Sequence, residues 1–203
     1  AVIVILFTGG TISMRHDPTA QGAVPALSGR EIVAATPGVE RVAPIEVEDW
    51  GAFPGPHMTV ERMWALRTRI GEHLARRDVD GVVVTHGTDS MEETAYLVTR
   101  SLAIAKPVVF TGAMRTASDL GWDGPANLLD AVRVAATPES ARYGALLTMS
   151  GRVFAGIDVT KAHTHLLDAF ESPGMGPVAV IDDGTVIFRR ALPAVLAPLA
   201  PVA

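Results

Sequence analysis

The chain reads as an α/β protein: an open, mostly parallel sheet flanked by helices, a three-layer sandwich of the flavodoxin/Rossmann-like kind, with a C-terminal β-hairpin. Three observations predict this. Short apolar runs at residues 2–7, 82–84, 108–110 and 146–149 each end at a Thr- or Gly-containing turn, as strands buried on both faces do. Stretches of helical period lie between them. Finally, Val178 to Ile181 and Val186 to Arg189 flank Asp182-Asp183-Gly184-Thr185, which is a strong hairpin signal.

Taken in order, residues 2–7 form a strand ending at Thr8-Gly9-Gly10-Thr11, where two glycines allow a tight turn and close approach of a ligand. A dinucleotide fingerprint needs a third glycine, which is missing here. Some of residues 13–29 could pair as a hairpin, but they show no firm periodicity; they suit a lid beside a strand end or a plain surface excursion. Ser28 caps a short helix at 29–35, stopped by Pro37-Gly38. Residues 45–48 alternate as a strand, and 51–57 form a rigid loop without regular structure. Thr59 then caps a helix with Met63, Leu66, Ile70 and Leu74 on its buried stripe and Glu61, Arg62, Arg69 and Arg76 on its wet face. After the strand at 82–84, Ser90 with Glu93 fits a capping box, as does Asp89 with Glu92. Pro125 suits the first position of a helix running to about residue 136. Ser150-Gly151-Arg152 turns into a strand at 153–159. Residues 191–203 carry three prolines and no charge, and read as a linker.

Composition narrows the function. The net charge is −5 with no basic block, which argues against nucleic acid as partner. There is no cysteine, hence no disulfide and no thiol chemistry. The opening apolar run is too short for a membrane span and lacks the basic flank of a signal peptide. The expectation is a cytoplasmic protein that binds no membrane, although a processed secreted chain would read the same way.

Chemistry concentrates at two strand ends. Thr11 follows Gly9-Gly10, and Thr88 follows Gly87; neighbouring parallel strands would bring both to one edge of the sheet, where ligands bind in open α/β folds. A threonine hydroxyl needs a base to act as a nucleophile. Asp89 adjoins Thr88, and the start of a helix there offers unpaired N–H groups. The same two residues would equally serve as plain helix caps. Lys161 is the only lysine besides Lys106; it is either a base with a lowered pKa or one half of a surface ion pair. His163 and His165 are too few for a metal site.

Thr8-Gly9-Gly10-Thr11-Ile12 together with the run from Thr85 to Ala95, His-Gly-Thr-Asp-Ser-Met-Glu-Glu-Thr included, resembles the bacterial-type L-asparaginase/glutaminase family. Lys106-Pro107-Val108-Val109, Thr111-Gly112-Ala113-Met114-Arg115, Asp123-Gly124-Pro125-Ala126-Asn127-Leu128 and Asp158-Val159-Thr160-Lys161 resemble further family segments in the same order. The match covers the family's larger N-terminal domain, so residues 1–190 are expected to form that catalytic domain, 191–203 a linker or tail, with the family's C-terminal domain absent. The resemblance implies an amidohydrolase that cleaves L-asparagine to L-aspartate and ammonia through a threonine acyl-enzyme. Alternatives are a glutaminase, another amide hydrolase or an amidotransferase subunit, or an isolated domain with little catalysis. It implies Thr11 as nucleophile and a Thr88, Asp89, Lys161 group that polarises a hydroxyl or water. Gly55, Pro56, Gly87, Thr88, Asp89 and Ala113 are implied to contact the substrate, with Asp89 at its α-amino group. Backbone N–H groups near Thr88 and the Gly9-Gly10 turn would hold the oxyanion. No metal and no cofactor is implied; a homodimer or homotetramer is expected when the C-terminal domain is present. Two positions depart from the pattern. The 13–29 segment lacks the family's flap tyrosine, and Gly55 stands where a serine usually binds the substrate carboxylate.

Overall fold

In the computed structural model, residues 1–192, 198 and 199 are described. Eight strands make one sheet: β1 (Val2–Gly9), β4 (Ile45–Phe53), β5 (Val79–Thr85), β6 (Val108–Thr111), β7 (Ala145–Met149), β8 (Arg152–Ala155), β11 (Ala179–Asp182) and β12 (Thr185–Phe188). Two ribbons lie outside it, β2 (Met14–Asp17) with β3 (Gly22–Pro25), and β9 (Thr160–Lys161) with β10 (Phe170–Glu171). The helices are α1 (Gly29–Ala34), α2 (Val39–Val42), α3 (Val60–Ala75), α4 (Met91–Ser101) and α5 (Gly124–Ala135).

The sheet order is β12-β11-β8-β7-β6-β5-β1-β4. From β4 to β7 the pairs are parallel; from β7 to β12 they are antiparallel. The reason for the reversal is local. Ser150 and Gly151 both adopt positive φ, 51° and 71°, giving a two-residue turn that returns β8 directly alongside β7. Asp183 and Gly184, at 44° and 76°, do the same between β11 and β12, the predicted hairpin.

The parallel strands alternate between two helical layers. Ile3, Ile5, Phe7, Val83 and Val109 face α1 and α5, packing with Ile32, Leu128, Ala131 and Val132. Val4, Leu6, Val82, Val84 and Phe110 face α3 and α4, packing with Leu66, Ile70, Met91 and Val98. Burial on both faces explains why these strands read as continuous apolar runs rather than alternating ones. Within the parallel part the spatial order is second, first, third, fourth, fifth, so the chain reverses direction of travel between β1 and β5. Ligands bind at such a switch point, outside the carboxyl ends of the strands.

Several expectations are corrected. The strand at 45–48 continues to Phe53, because after a shift of register beyond Phe7 the pairing resumes at Gly9 with Phe53, and Gly10 N–H donates to the Phe53 carbonyl at 3.0 Å. The loop after it holds a 3-10 turn at Gly55–His57. The strand expected at 153–159 stops at Ala155, where Asp158 and Val159 N–H groups turn back to the Ala155 carbonyl. Residues 14–25, by contrast, do form the hairpin left open for that segment, β2–β3. Arg69 and Arg76 are not a free wet face. They reach across to the edge strand and grip Glu48 and Glu46 with paired nitrogens, while buried His73 lies 2.9 Å from Glu48. A real capping box occurs at Ser28 and Glu31, not at Ser90. Of the expected linker 191–203, residues 193–197 and 200–203 lie outside the described residues; Leu192 packs against the core.

Candidate active site

Three glycines bring the predicted residues together. Gly10, at φ 80°, lies so close to Gly87 that an added Cβ would sit 2.6 Å from the Gly87 nitrogen. A Cβ on Gly87 would in turn sit 2.4 Å from the Gly55 Cα. Three loops, following β1, β4 and β5, therefore stack backbone against backbone. Thr11 and Thr88 each follow one of the touching glycines. Thr11 is half-buried in a 3-10 turn, Thr11–Ser13, and Thr88 is buried.

Lys161 joins them from 73 residues further along the chain. Its Nζ donates to the Thr88 hydroxyl at 2.9 Å and to Asp89 Oδ1 at 2.6 Å. The lysine side chain is 14% exposed and that of Asp89 56%, so the ammonium is inside and the carboxylate opens outward. Glu92, in the first turn of α4, holds the lysine's strand. Its carboxylate accepts from the Thr160 hydroxyl at 3.0 Å and from the Lys161 backbone N–H. Thus Thr88, Asp89 and Lys161 do come together as predicted.

Ser90 and Asp89 are not the caps expected. The Ser90 hydroxyl donates to the Gly55 carbonyl at 2.9 Å, locking the loop after β4 onto the start of α4. Asp89 is taken by Lys161. Gly55 and Pro56 sit in the 3-10 turn beside this group; a Cβ on Gly55 would lie 3.3 Å from the Asp89 Cβ. Ala113 is fully buried and its methyl group belongs to the core, so any ligand contact there would fall to its backbone. The segment on either side of it is pinned by Asp123, which accepts from Met114 and Arg115 N–H groups, and by Asn127, which donates to the Gly112 carbonyl at 3.0 Å. Ser90, Glu92, Asp123 and Asn127 were not singled out from sequence as site residues, since each acts on a partner in another loop. Among the described residues no group of three or more His, Asp or Glu could hold a metal ion.

His86 underlies the second strand end. It is fully buried; its Nδ1–H donates to the Gly87 carbonyl at 2.8 Å and Nε2 lies 3.0 Å from the Thr94 hydroxyl. Burial pushes its pKa down from 6.5 to about 4. The folded chain holds the ring neutral where the unfolded chain would take up a proton. The resulting stability is complete above pH 6.5 and is lost as pH falls from there towards 4, by up to about 3 kcal/mol. Thermal melts of the parent and of His86→Gln over that range test this. The parent's Tm should fall more steeply with acid than the variant's; parallel slopes would contradict it.

Comparison with known proteins bears on this arrangement. The family model "Asparaginase, N-terminal" matches residues 2–194. A probable L-asparaginase of Deinococcus radiodurans is 42% identical over 180 residues, covering 89% of this chain and 53% of that protein. A probable periplasmic L-asparaginase of Haemophilus influenzae is 37% identical over 190 residues, 93% of this chain and 54% of that protein. The crystal structure of a probable cytoplasmic L-asparaginase from Campylobacter jejuni superposes with a TM-score of 0.85 at 34% identity, covering 95% of this chain and 58% of that one. The chain thus spans about half the length of the curated relatives it matches. Among the described residues no helix is long and apolar enough to cross a membrane. With the family model covering nearly the whole chain and the fold shared over its length, the chain belongs to the asparaginase family, to the N-terminal part of it.

Proposed function

We propose that this chain carries the reaction centre of an amidohydrolase acting on L-asparagine. The observation that supports it best is the Lys161 ammonium shared between Thr88 and Asp89, beside a glycine contact that sets Thr11 next to the same loop. In the proposed cycle the Thr11 hydroxyl adds to the side-chain amide carbon. Its proton goes to the leaving nitrogen, the C–N bond breaks, ammonia departs and an ester remains. Water, polarised by Thr88 and Lys161, then cleaves the ester and returns the proton to Thr11. The backbone N–H groups of Thr11 and Thr88 are the proposed stabilisers of the oxyanion, the Gly10 N–H being taken by the Phe53 carbonyl. Gly55, Pro56, Gly87 and the Ala113 backbone are proposed to line the substrate site, and Asp89 to take its α-amino group.

The same proposal makes residues 1–190 the catalytic domain and 191–203 a connecting segment. It places the protein in the cytoplasm and expects a homodimer or homotetramer once a C-terminal domain is present. Gly55 offers the carboxylate of a substrate no side-chain hydroxyl, and glutamine, which carries the same α-amino, α-carboxylate and amide groups as asparagine, is the second substrate under this proposal. Ammonia release from asparagine and from glutamine, on this chain and on one extended at the C-terminus, decides among these. No release from either substrate by either chain would overturn the reading.

Lys161→Met keeps the aliphatic stem and removes the ammonium. It is expected to lower kcat by about 10²–10⁴-fold, the range for a positioned proton-transfer group. A variant with kcat within a few-fold of the parent would remove Lys161 from the chemistry.

A further inference from the structure

Lys161 sits on the short β9–β10 ribbon, which is outside the main sheet and has only two residues in each strand. Two-stranded ribbons of this size do not hold themselves. At its outer part Ala162 N–H donates to the Ala169 carbonyl. At its base, where the chain enters before Thr160 and leaves after Glu171, the two arms are joined through one carboxylate. Asp158 Oδ1 accepts from the Ser172 hydroxyl at 2.7 Å, and Asp158 Oδ2 accepts from Arg190 Nη2 at 2.9 Å. Arg190 Nη2 also donates to the Gly176 carbonyl at 3.1 Å. The guanidinium is 15% exposed and the carboxylate 24%, so this is a partly desolvated, charge-assisted contact rather than a loose surface pair. Arg190 is itself anchored just past β12, its N–H turned to the Val178 carbonyl.

We propose that Arg190 is a positioning residue for Lys161. By gripping Asp158, it fixes the base of the ribbon to the main sheet and so keeps the lysine ammonium on Thr88 and Asp89. The inference rests on the proposed role of Lys161 only for its effect on turnover; the placement itself is independent of activity. Arg190 Nη2 carries two N–H groups held in the plane of the guanidinium, one for the carboxylate and one for the Gly176 carbonyl.

The chain has two lysines, which makes the test internal to the molecule. Lys106 Nζ donates to the Arg76 carbonyl on the other side of the fold and serves as the reference. Both lysines are labelled with an amine-reactive acetylating reagent in short pulses, and the two peptides are counted by mass spectrometry. In Arg190→Gln, labelling of Lys161 is expected to rise by roughly tenfold relative to Lys106, as a local opening would allow. The parent-like circular dichroism should persist, and kcat should fall with KM little changed. Arg190→Lys should restore the parent pattern in part. Equal rises at both lysines, or no rise at Lys161 in a folded variant, would overturn the proposal. Should Arg190→Gln fail to fold, Asp158→Asn decides. It removes the charge that Arg190 grips from the other side of the same contact, and an unchanged Lys161 signal there would equally refute the assignment. A parent chain without amidohydrolase activity would count against the proposed function while leaving the labelling result to stand or fall alone.

Discussion

Thr11→Ala is expected to lower kcat/KM for asparagine by about 10⁴-fold or more, the scale on which loss of a covalent nucleophile is felt. The residue is placed for that role by its backbone. β1 ends in two successive positive-φ glycines, Gly9 at 102° and Gly10 at 80°, and the chain turns there into a single 3-10 turn with Thr11 at its head. The turn is fastened by Gly10 N–H on the Phe53 carbonyl and by the Ser13 hydroxyl on the Gly10 carbonyl, neither of which involves the Thr11 side chain. Removing the hydroxyl should therefore leave the fold standing, with a stability change within about 0.5 kcal/mol, as at other sites away from the core. Mass spectrometry with a slowly deacylated substrate should show an adduct on the parent and none on the variant. Turnover near the parent's level in the purified variant would assign the nucleophile elsewhere, Thr88 being the next hydroxyl to test.

Gly87→Ala should produce a large effect on the fold. The new carbon would meet the Gly55 Cα at 2.4 Å and the Gly55 nitrogen at 2.6 Å, and both are backbone atoms that cannot rotate away. The loops after β4 and β5 must move apart, and the Ser90–Gly55 hydrogen bond spans that gap. Overpacking of this kind costs about 2–4 kcal/mol, which for a chain of this size lowers Tm by roughly 10 °C. Activity should suffer further, because a displacement of about 1 Å between reacting groups can cost 10²-fold. Gly22→Ala is the matched control: its nearest neighbour would be the Ala20 carbonyl at 3.9 Å, so both Tm and turnover should stay close to the parent's. A Gly87→Ala protein with an unshifted Tm would show that the three loops are not in the contact described.

How far the residues alone revealed this can be judged position by position. The central strands were legible because each is buried on both faces by two helical layers, which forces unbroken Val, Ile and Leu runs. The Asp183-Gly184 turn was legible because few residue pairs accept two positive φ values in succession. Thr11, Thr88 and Asp89 could be placed at strand ends for the same local reasons, and Lys161 could be named by its segment. Other features depended on partners distant along the chain. Ser90 and Glu93 carry the pattern of a capping box, yet the Ser90 hydroxyl goes to Gly55, because the glycine stack brings that carbonyl within reach. Glu92 looks like an ordinary helix-start acid and turns out to hold Thr160 and Lys161. Arg69 and Arg76 fall on the polar side of α3 and are drawn to Glu48 and Glu46 only because β4 is the sheet edge beside that helix. Local interactions within a few positions therefore account for the central strands, the Ser150-Gly151 and Asp183-Gly184 turns and the residue types at the strand ends. Which hydroxyl faces which carboxylate, and where β4 and β8 stop, came from the fold, because hydrogen-bond partners 35 to 73 residues apart are chosen by the packing of the sheet and not by any local preference.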